Sequence, residues 1–313
     1  MNAYWYVKGF VLAFFNESMF KWTNITFLSI LFIINALIVI VLIIKVPKKW
    51  KWEVGILSFH LLLWFFLWEN LPEVNEIEYH IGKEPLKIVH LTDFHFNTSQ
   101  VWIIDRAIRE ANSKNPDIVV LTGDYKTDIS QNDLSPWVFD KLKEIKAKKG
   151  VYLIFGNHDN FQNPTKMKKE FEDCGITLVH KKNIEISPDM YLTGLDFEDI
   201  YFRDLRASLK DLPDRSVFLF HSPRQLFEGF FDIKLIEGKN VLFLTGHTHG
   251  GQFLFPWTNK DLKAQQELGI KHLNGWLDLG EHKVYVSKGL GTSYFPLRLR
   301  AKPEVTVINI LPE

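Results

Sequence analysis

The chain has 313 residues and a mass of 36.7 kDa, room for one sizeable domain and an accessory segment. Its 37 Lys and Arg balance 37 Asp and Glu, so no global field draws it to nucleic acid. One cysteine, Cys174, excludes an intramolecular disulfide and a multi-cysteine zinc site.

Residues 1–70 differ in composition from the rest and read as a membrane anchor of one or two helices. The stretch 3–15 is aromatic but broken by Lys8 and Gly9, which suits a surface-lying helix. Residues 25–44 are almost wholly apolar and long enough to span a hydrocarbon core. No small-residue cleavage site follows, so a signal peptide fits less well. A second apolar run, 54–68, is shorter and rich in Trp and Phe; it either spans a thinned bilayer or lies on the surface. Lys45, Lys48, Lys49 and Lys51 put the connection between the two runs on the cytoplasmic side. A spanning second run sends the remaining chain outward, and a surface-lying one keeps it inside. The site is thus expected at the cytoplasmic membrane, on a face the sequence leaves open.

Residues 71–85, with Glu73, Glu76, Glu78 and Glu84, read as an acidic connector, and 86–313 as the globular domain. A strand over 86–91 leads to Asp93 and His95, and a helix over 101–113 has apolar residues at helical spacing. A strand from Ile118 ends before Asp124. A helix is expected over 133–149, stopped by Gly150. The next strand reaches Asn157, His158 and Asp159, and a helix follows over 164–174. Stretches 176–180 and 190–195 read as paired strands. Residues 196–215 are polar and partly helical. Strands then run into His221 and into Gly246-His-Thr-His249; 252–279 reads as loop, and 284–287 and 305–311 close the chain as strands. Helices alternate with strands early and strands dominate late, which suggests two sheets with helices outside.

The chemistry gathers at strand ends. Each of five short β-rich runs finishes in an Asp, Asn or His, and in open α/β sheets sites lie beyond the carboxyl ends of strands. Together they offer Asp93, His95, Asp124, Asn157, His221, His247 and His249, enough for two metal ions sharing one carboxylate. Mixed carboxylate, imidazole and amide donors suit divalent Mn, Fe or Zn better than Mg or Ca. His90 reads as core, and His80, His180, His272 and His282 as surface residues. Lys288, Arg298, Lys302, Arg203, Arg206 and Lys210 are candidates for a phosphate contact against the commoner reading of a solvated charge.

Asp93-Phe-His95, Gly123-Asp124, Gly156-Asn-His-Asp159, His221 and Gly246-His-Thr-His249, in that order, resemble the signature of calcineurin-like metallophosphoesterases. Gly246-His-Thr-His-Gly-Gly-Gln252, 285–293, Pro296-Leu-Arg298 and Pro303-Glu304 are similar to a membrane-anchored bacterial branch. The resemblance implies an α/β fold, a four-layer α/β/β/α sandwich preceded by the N-terminal membrane segment. It implies one metal on Asp93, His95, Asp124 and His249 and another on Asp124, Asn157, His221 and His247, with Asp124 bridging. His158 would protonate the leaving oxygen or stabilise charge on it, with Asp159 as its orienting neighbour or as a turn cap. The wider family includes UDP-2,3-diacylglucosamine pyrophosphatases of lipid A synthesis and general phosphodiesterases. The implied partners are the bilayer and a phosphate-containing, lipid-linked substrate, with no nucleic acid. A catalytically silent membrane scaffold is the alternative, and it predicts lost ligands, whereas every candidate ligand is present.

Overall fold

The computed structural model describes residues 47–96, 101–127, 133–197, 212–227, 233–254, 259, 269, 271–293 and 297–313. The stretches 3–15 and 25–44 lie outside these residues, as do Arg203, Arg206 and Lys210. The chain divides into two compact units, Met1–Leu71 and Pro72–Glu313.

In the first unit, a 3-10 turn over Lys48–Trp50 leads into helix α1, Lys51–Asn70, which contains the second apolar run. Its large side chains do not confine themselves to one stripe: Trp52, Ile56, Leu57, Phe59 and Trp68 are all exposed. His60 Nδ1 bonds the Ile56 carbonyl of its own helix at 2.7 Å. Among the described residues no helix is long and apolar enough to cross a membrane.

The second unit holds two six-stranded sheets. The first takes β1 (Glu73–Gly82), β2 (Leu86–Leu91), β3 (Ile118–Leu121), β4 (Gly150–Leu153), β5 (Ile176–Leu178) and β12 (Glu304–Pro312), in the order β1-β12-β2-β3-β4-β5. The second takes β6 (Asn183–Ser187), β7 (Met190–Gly194), β8 (Arg215–Leu219), β9 (Asn240–Thr245), β10 (Gly275–Leu279) and β11 (His282–Val286), in the order β10-β11-β9-β8-β7-β6. Strands β2 to β5 are parallel, as are β7, β8, β9 and β11.

Three apolar cores explain the layering. Ile88, Ile118 and Val120 of the first sheet meet Leu192, Val217 and Leu242 of the second in a core between the sheets. Val89, Val119 and Leu121 point the other way, under helices α2 (Val101–Ser113), α3 (Pro136–Leu142) and α4 (Pro164–Asp173). Helix α2 turns Ile104, Ala107, Ile108 and Ala111 to that core, the face its spacing predicts. On the outer face of the second sheet the described cover is thin: the short helix α5 (Arg224–Phe227), a 3-10 turn at Ile233–Ile236, and Leu273.

The structure corrects five expectations. The acidic stretch taken for a connector is β1, an edge strand parallel to β12 from Glu73 opposite Glu304 onward. Glu76 and Glu78 alternate with Ile77, Tyr79 and Ile81, which pack into the core between the sheets, while Val74 packs on the other face; the acids stand on an edge strand. Of the expected pairing between 176–180 and 190–195 only a bridge from His180 to Gly194 forms; residues 176–178 extend the first sheet beside β4, and β7 pairs with β6 and β8. Helix α3 ends at Leu142 because the chain must straighten to enter β4: Lys148 and Lys149 donate to the carbonyls of Pro116 and Asp117. The loop expected over 252–279 closes with β10, antiparallel to β11, and His282 is buried there against Phe243.

Candidate metal centre

The parallel registers bring the strand ends level. Leu91, Leu121 and Leu153 are direct neighbours, as are Leu219 and Leu244. The ladder continues into the loops: Asp93 donates its N–H to Gly123, His95 to Asp124 and Gly246 to His221. Every residue expected at the site therefore arrives at one end of the two sheets.

Close approach demands small residues and strained backbone. A Cβ on Gly246 would lie 2.3 Å from Asp93 Oδ2, and one on Gly156 2.3 Å from Asp124 Oδ1, so a side chain at either position would push a carboxylate out of place. Asp93 (φ 54°), His95 (φ 46°), Asp124 (φ 58°), His247 (φ 70°) and His249 (φ 51°) all hold left-handed backbone. Such conformations cost on the order of 1–3 kcal/mol each for non-glycine residues and concentrate at functional sites.

The side chains form two groups. Asp93, His95 and His249 offer ligand atoms within 4.8 Å of one another, and so do Asp124, His221 and His247. In the first, His95 Nε2 lies 3.0 Å from His249 Nε2, and His249 Nε2 lies 3.5 Å from Asp93 Oδ1. In the second, His221 Nε2 stands 2.9 Å from Asn157 Oδ1 and 3.2 Å from both Asp124 Oδ2 and His247 Nδ1. Asp124 Oδ2 is also 3.5 Å from His95 Nε2, so one carboxylate oxygen faces both groups. Its other oxygen accepts the His158 N–H at 2.9 Å.

Burial sets the charge states. It drives His95 and His247 down to about 3 and His249 well below its ordinary value, so all three imidazoles are neutral at pH 7. Burial raises Asp93 to about 6. Burial also opposes the charge on Asp124 and His221, but each holds the other's: Asp124 falls below the carboxylate range and His221 rises to about 9. His221 Nδ1 donates to the Thr122 carbonyl at 2.7 Å, which leaves Nε2 for the site. Two neutral imidazole nitrogens face to face, each beside a carboxylate oxygen, fit a divalent cation, and the mixed donor set fits Mn, Fe or Zn.

His158 belongs to neither group. It is nearly buried, its ring edge-on to His95 with centroids 5.2 Å apart. Asp159 does not turn toward it. Oδ2 accepts from the backbone N–H of Asp124 and Gly156, and Oδ1 from that of Tyr125, which is the turn-capping alternative. Arg298 is buried, and its guanidinium is spent on backbone carbonyls and on His249, not on a phosphate. Lys288 pairs with Glu73 and lies 3.7 Å from Glu304. Phe197, which the sequence reading passed over, stacks on His247 and meets His221 edge-on. Its only sequence signal is its place three residues beyond the end of β7.

Comparison with known proteins agrees with this geometry. Residues 86–261 match the calcineurin-like phosphoesterase family. An uncharacterized metallophosphoesterase of Campylobacter jejuni is 32% identical over 251 residues, covering 76% of this chain and 63% of its own, so the chain spans under two thirds of that relative. YkuE of Bacillus subtilis, an uncharacterized metallophosphoesterase, is 28% identical over 237 residues, 73% of this chain and 80% of its own. The phosphodiesterase YaeI of Escherichia coli is 27% identical over 238 residues, 72% of this chain and 83% of its own.

Proposed function

Since the chain belongs to the calcineurin-like phosphoesterase family, a family of metal-dependent hydrolases, we propose that it is a membrane-attached dimetal hydrolase of phosphodiester or pyrophosphate bonds. The observation that carries this reading is Asp124 Oδ2, 3.5 Å from His95 Nε2 and 3.2 Å from His221 Nε2. Asp93, His95, Asp124 and His249 would hold one ion, and Asp124, Asn157, His221 and His247 the other. When bound, two such ions activate water and polarise the phosphoryl group. The chain's own part is geometric and protonic. Asp124 sets the spacing of the two groups. His158, beside His95 and outside both groups, donates a proton to the leaving oxygen.

Membrane attachment is supported by the apolar run at 25–44 and by the exposed Trp and Phe of α1. An anchor favours an amphiphilic substrate, and the sharper form of the reading is a lipid-linked nucleotide such as UDP-2,3-diacylglucosamine, cleaved to UMP and an acylated sugar phosphate at the cytoplasmic face. The name of the Escherichia coli relative favours a broader reading, a general phosphodiesterase.

UMP release from UDP-2,3-diacylglucosamine by detergent-purified protein with Mn²⁺, beside a simple aryl phosphodiester, separates the two. UMP release supports the lipid-linked substrate. Cleavage of the aryl diester alone keeps the dimetal hydrolase and discards that substrate. Cleavage of neither with Mn²⁺, Fe²⁺ or Zn²⁺ overturns the hydrolase reading in favour of a silent scaffold.

A further inference from the structure

We propose that Arg298 is a positioning residue for the Asp93–His95–His249 group, locking the His249 main chain to the loop that clamps Asp93. The inference rests on the two-metal reading of the site.

Arg298 is 2% exposed. Its Nε donates to the Gly291 carbonyl at 2.9 Å, and its Nη1 to the carbonyls of Ala301 at 2.9 Å and His249 at 3.2 Å. Its Nη2 donates to the Lys288 carbonyl at 2.9 Å and lies 3.1 Å from His249 Nδ1. A guanidinium only donates, so its bond to the His249 carbonyl is well defined, and it fixes the main chain of a ligand held at φ 51°. Burying a cation is costly, and an apolar side chain would fill the space more cheaply. The planar fork does what an apolar side chain cannot: it bonds several segments at fixed angles.

Two of those carbonyls, of Lys288 and Gly291, belong to the loop that grips Asp93 from the other side. Gly291 donates its N–H to the Asp93 carbonyl at 2.6 Å, and Leu290 to that of Thr92 at 3.0 Å. Gly289, at φ 69°, lies so close that a Cβ there would meet Asp93 Cβ at 2.7 Å. Arg298 therefore joins the clamp on one ligand to the main chain of another, across 156 positions of sequence from Asp93 to His249. The second group has other supports: Asp159 holds the Asp124 backbone, and the Thr122 carbonyl holds His221. Loss of Arg298 should therefore weaken one ion and spare its neighbour.

The full-length protein, stripped with chelator, is titrated with Mn²⁺ by calorimetry and followed by electron paramagnetic resonance. Wild type should take two Mn²⁺ per chain and give a spin-coupled signal. Arg298→Lys and Arg298→Gln should weaken one ion about 10–100-fold, the usual cost of losing an outer-shell partner, and show an isolated Mn²⁺ signal. Gly289→Ala reaches the same ligand without touching the cation and should do likewise; with Arg298→Lys it decides the matter if Arg298→Gln does not fold. Thermal unfolding of the metal-free variants certifies that they are folded. A folded Arg298→Lys that loads both ions as tightly as wild type, or weakens both equally, overturns the inference. A wild type that binds fewer than two ions overturns the two-metal reading itself.

Discussion

Asp159 Oδ2 accepts the backbone N–H of Asp124 at 2.7 Å, while its Oδ1 takes that of Tyr125 at 2.8 Å. Asp124 holds a left-handed φ of 58°, and this pair of bonds keeps it there. Asp159→Asn places an amide donor where N–H groups already point, and Asp159→Ala leaves three buried N–H groups without their acceptor. Each unsatisfied buried donor costs about 1–3 kcal/mol. Both variants should lower the melting temperature, and activity should fall with every substrate because Asp124 moves. An unchanged melting temperature, with losses confined to poor leaving groups, would return Asp159 to the role of His158's partner.

Asp124 itself faces both ligand groups through one oxygen. Asp124→Asn removes the charge but keeps the shape. It should reduce the metal content at both positions and cost several kcal/mol of transition-state stabilisation, a thousandfold or more in rate at about 1.4 kcal/mol per tenfold. Metal analysis beside turnover checks it. Near-normal turnover would remove the bridging role.

His158 sits against His95 but in neither group. His158→Ala should keep wild-type metal content and lose about 10²–10⁴-fold in rate, the range of a lost general acid. The loss should grow with the leaving-group pKa across a series of aryl diesters, and a flat dependence would deny it the proton. Metal loss in this variant would make it a ligand instead.

What could be read in advance follows from what each residue's neighbours are. Asp93, His95, Asp124, Asn157, His221, His247 and His249 follow apolar runs, so the strand pattern puts them beyond the carboxyl ends of strands, and the structure brings them together at one end of the two sheets. Asp159 and Arg298 are different. Their partners are backbone groups from other segments, and main-chain positions leave no trace in residue type. Arg298 resembles a phosphate-binding residue until its burial is known. Strand β1 was legible by alternation, Ile77, Tyr79 and Ile81 among polar residues, but its acidity outweighed that period. Strand β6, Asn-Ile-Glu-Ile-Ser, carried the same signal. The departure of 176–178 from 190–194 lay in the chain's crossing between sheets, which no local pattern records.

The pH dependence of metal loading should follow His221. Burial disfavours its charge, but Asp124 and Asp93 raise it from 6.5 to about 9. Because Nδ1 donates to Thr122, the titrating proton sits on Nε2, facing Asp124. A metal ligand must give up that proton, so affinity should rise with pH, about tenfold per unit between roughly 6.5 and 8.5, and level off near 9. Below about 6 the slope should steepen, since Asp93, raised to about 6 by burial, then carries a proton as well. Metal-free stability has the opposite sign on the alkaline side. A histidine raised in the folded state binds more protons there than in the unfolded chain, so its contribution is whole below 6.5 and lost as pH climbs toward 9. The melting temperature of stripped protein should therefore fall between these limits, and saturating Mn²⁺ should abolish the fall. A binding constant independent of pH across the same window would show that no proton on His221 competes with the metal.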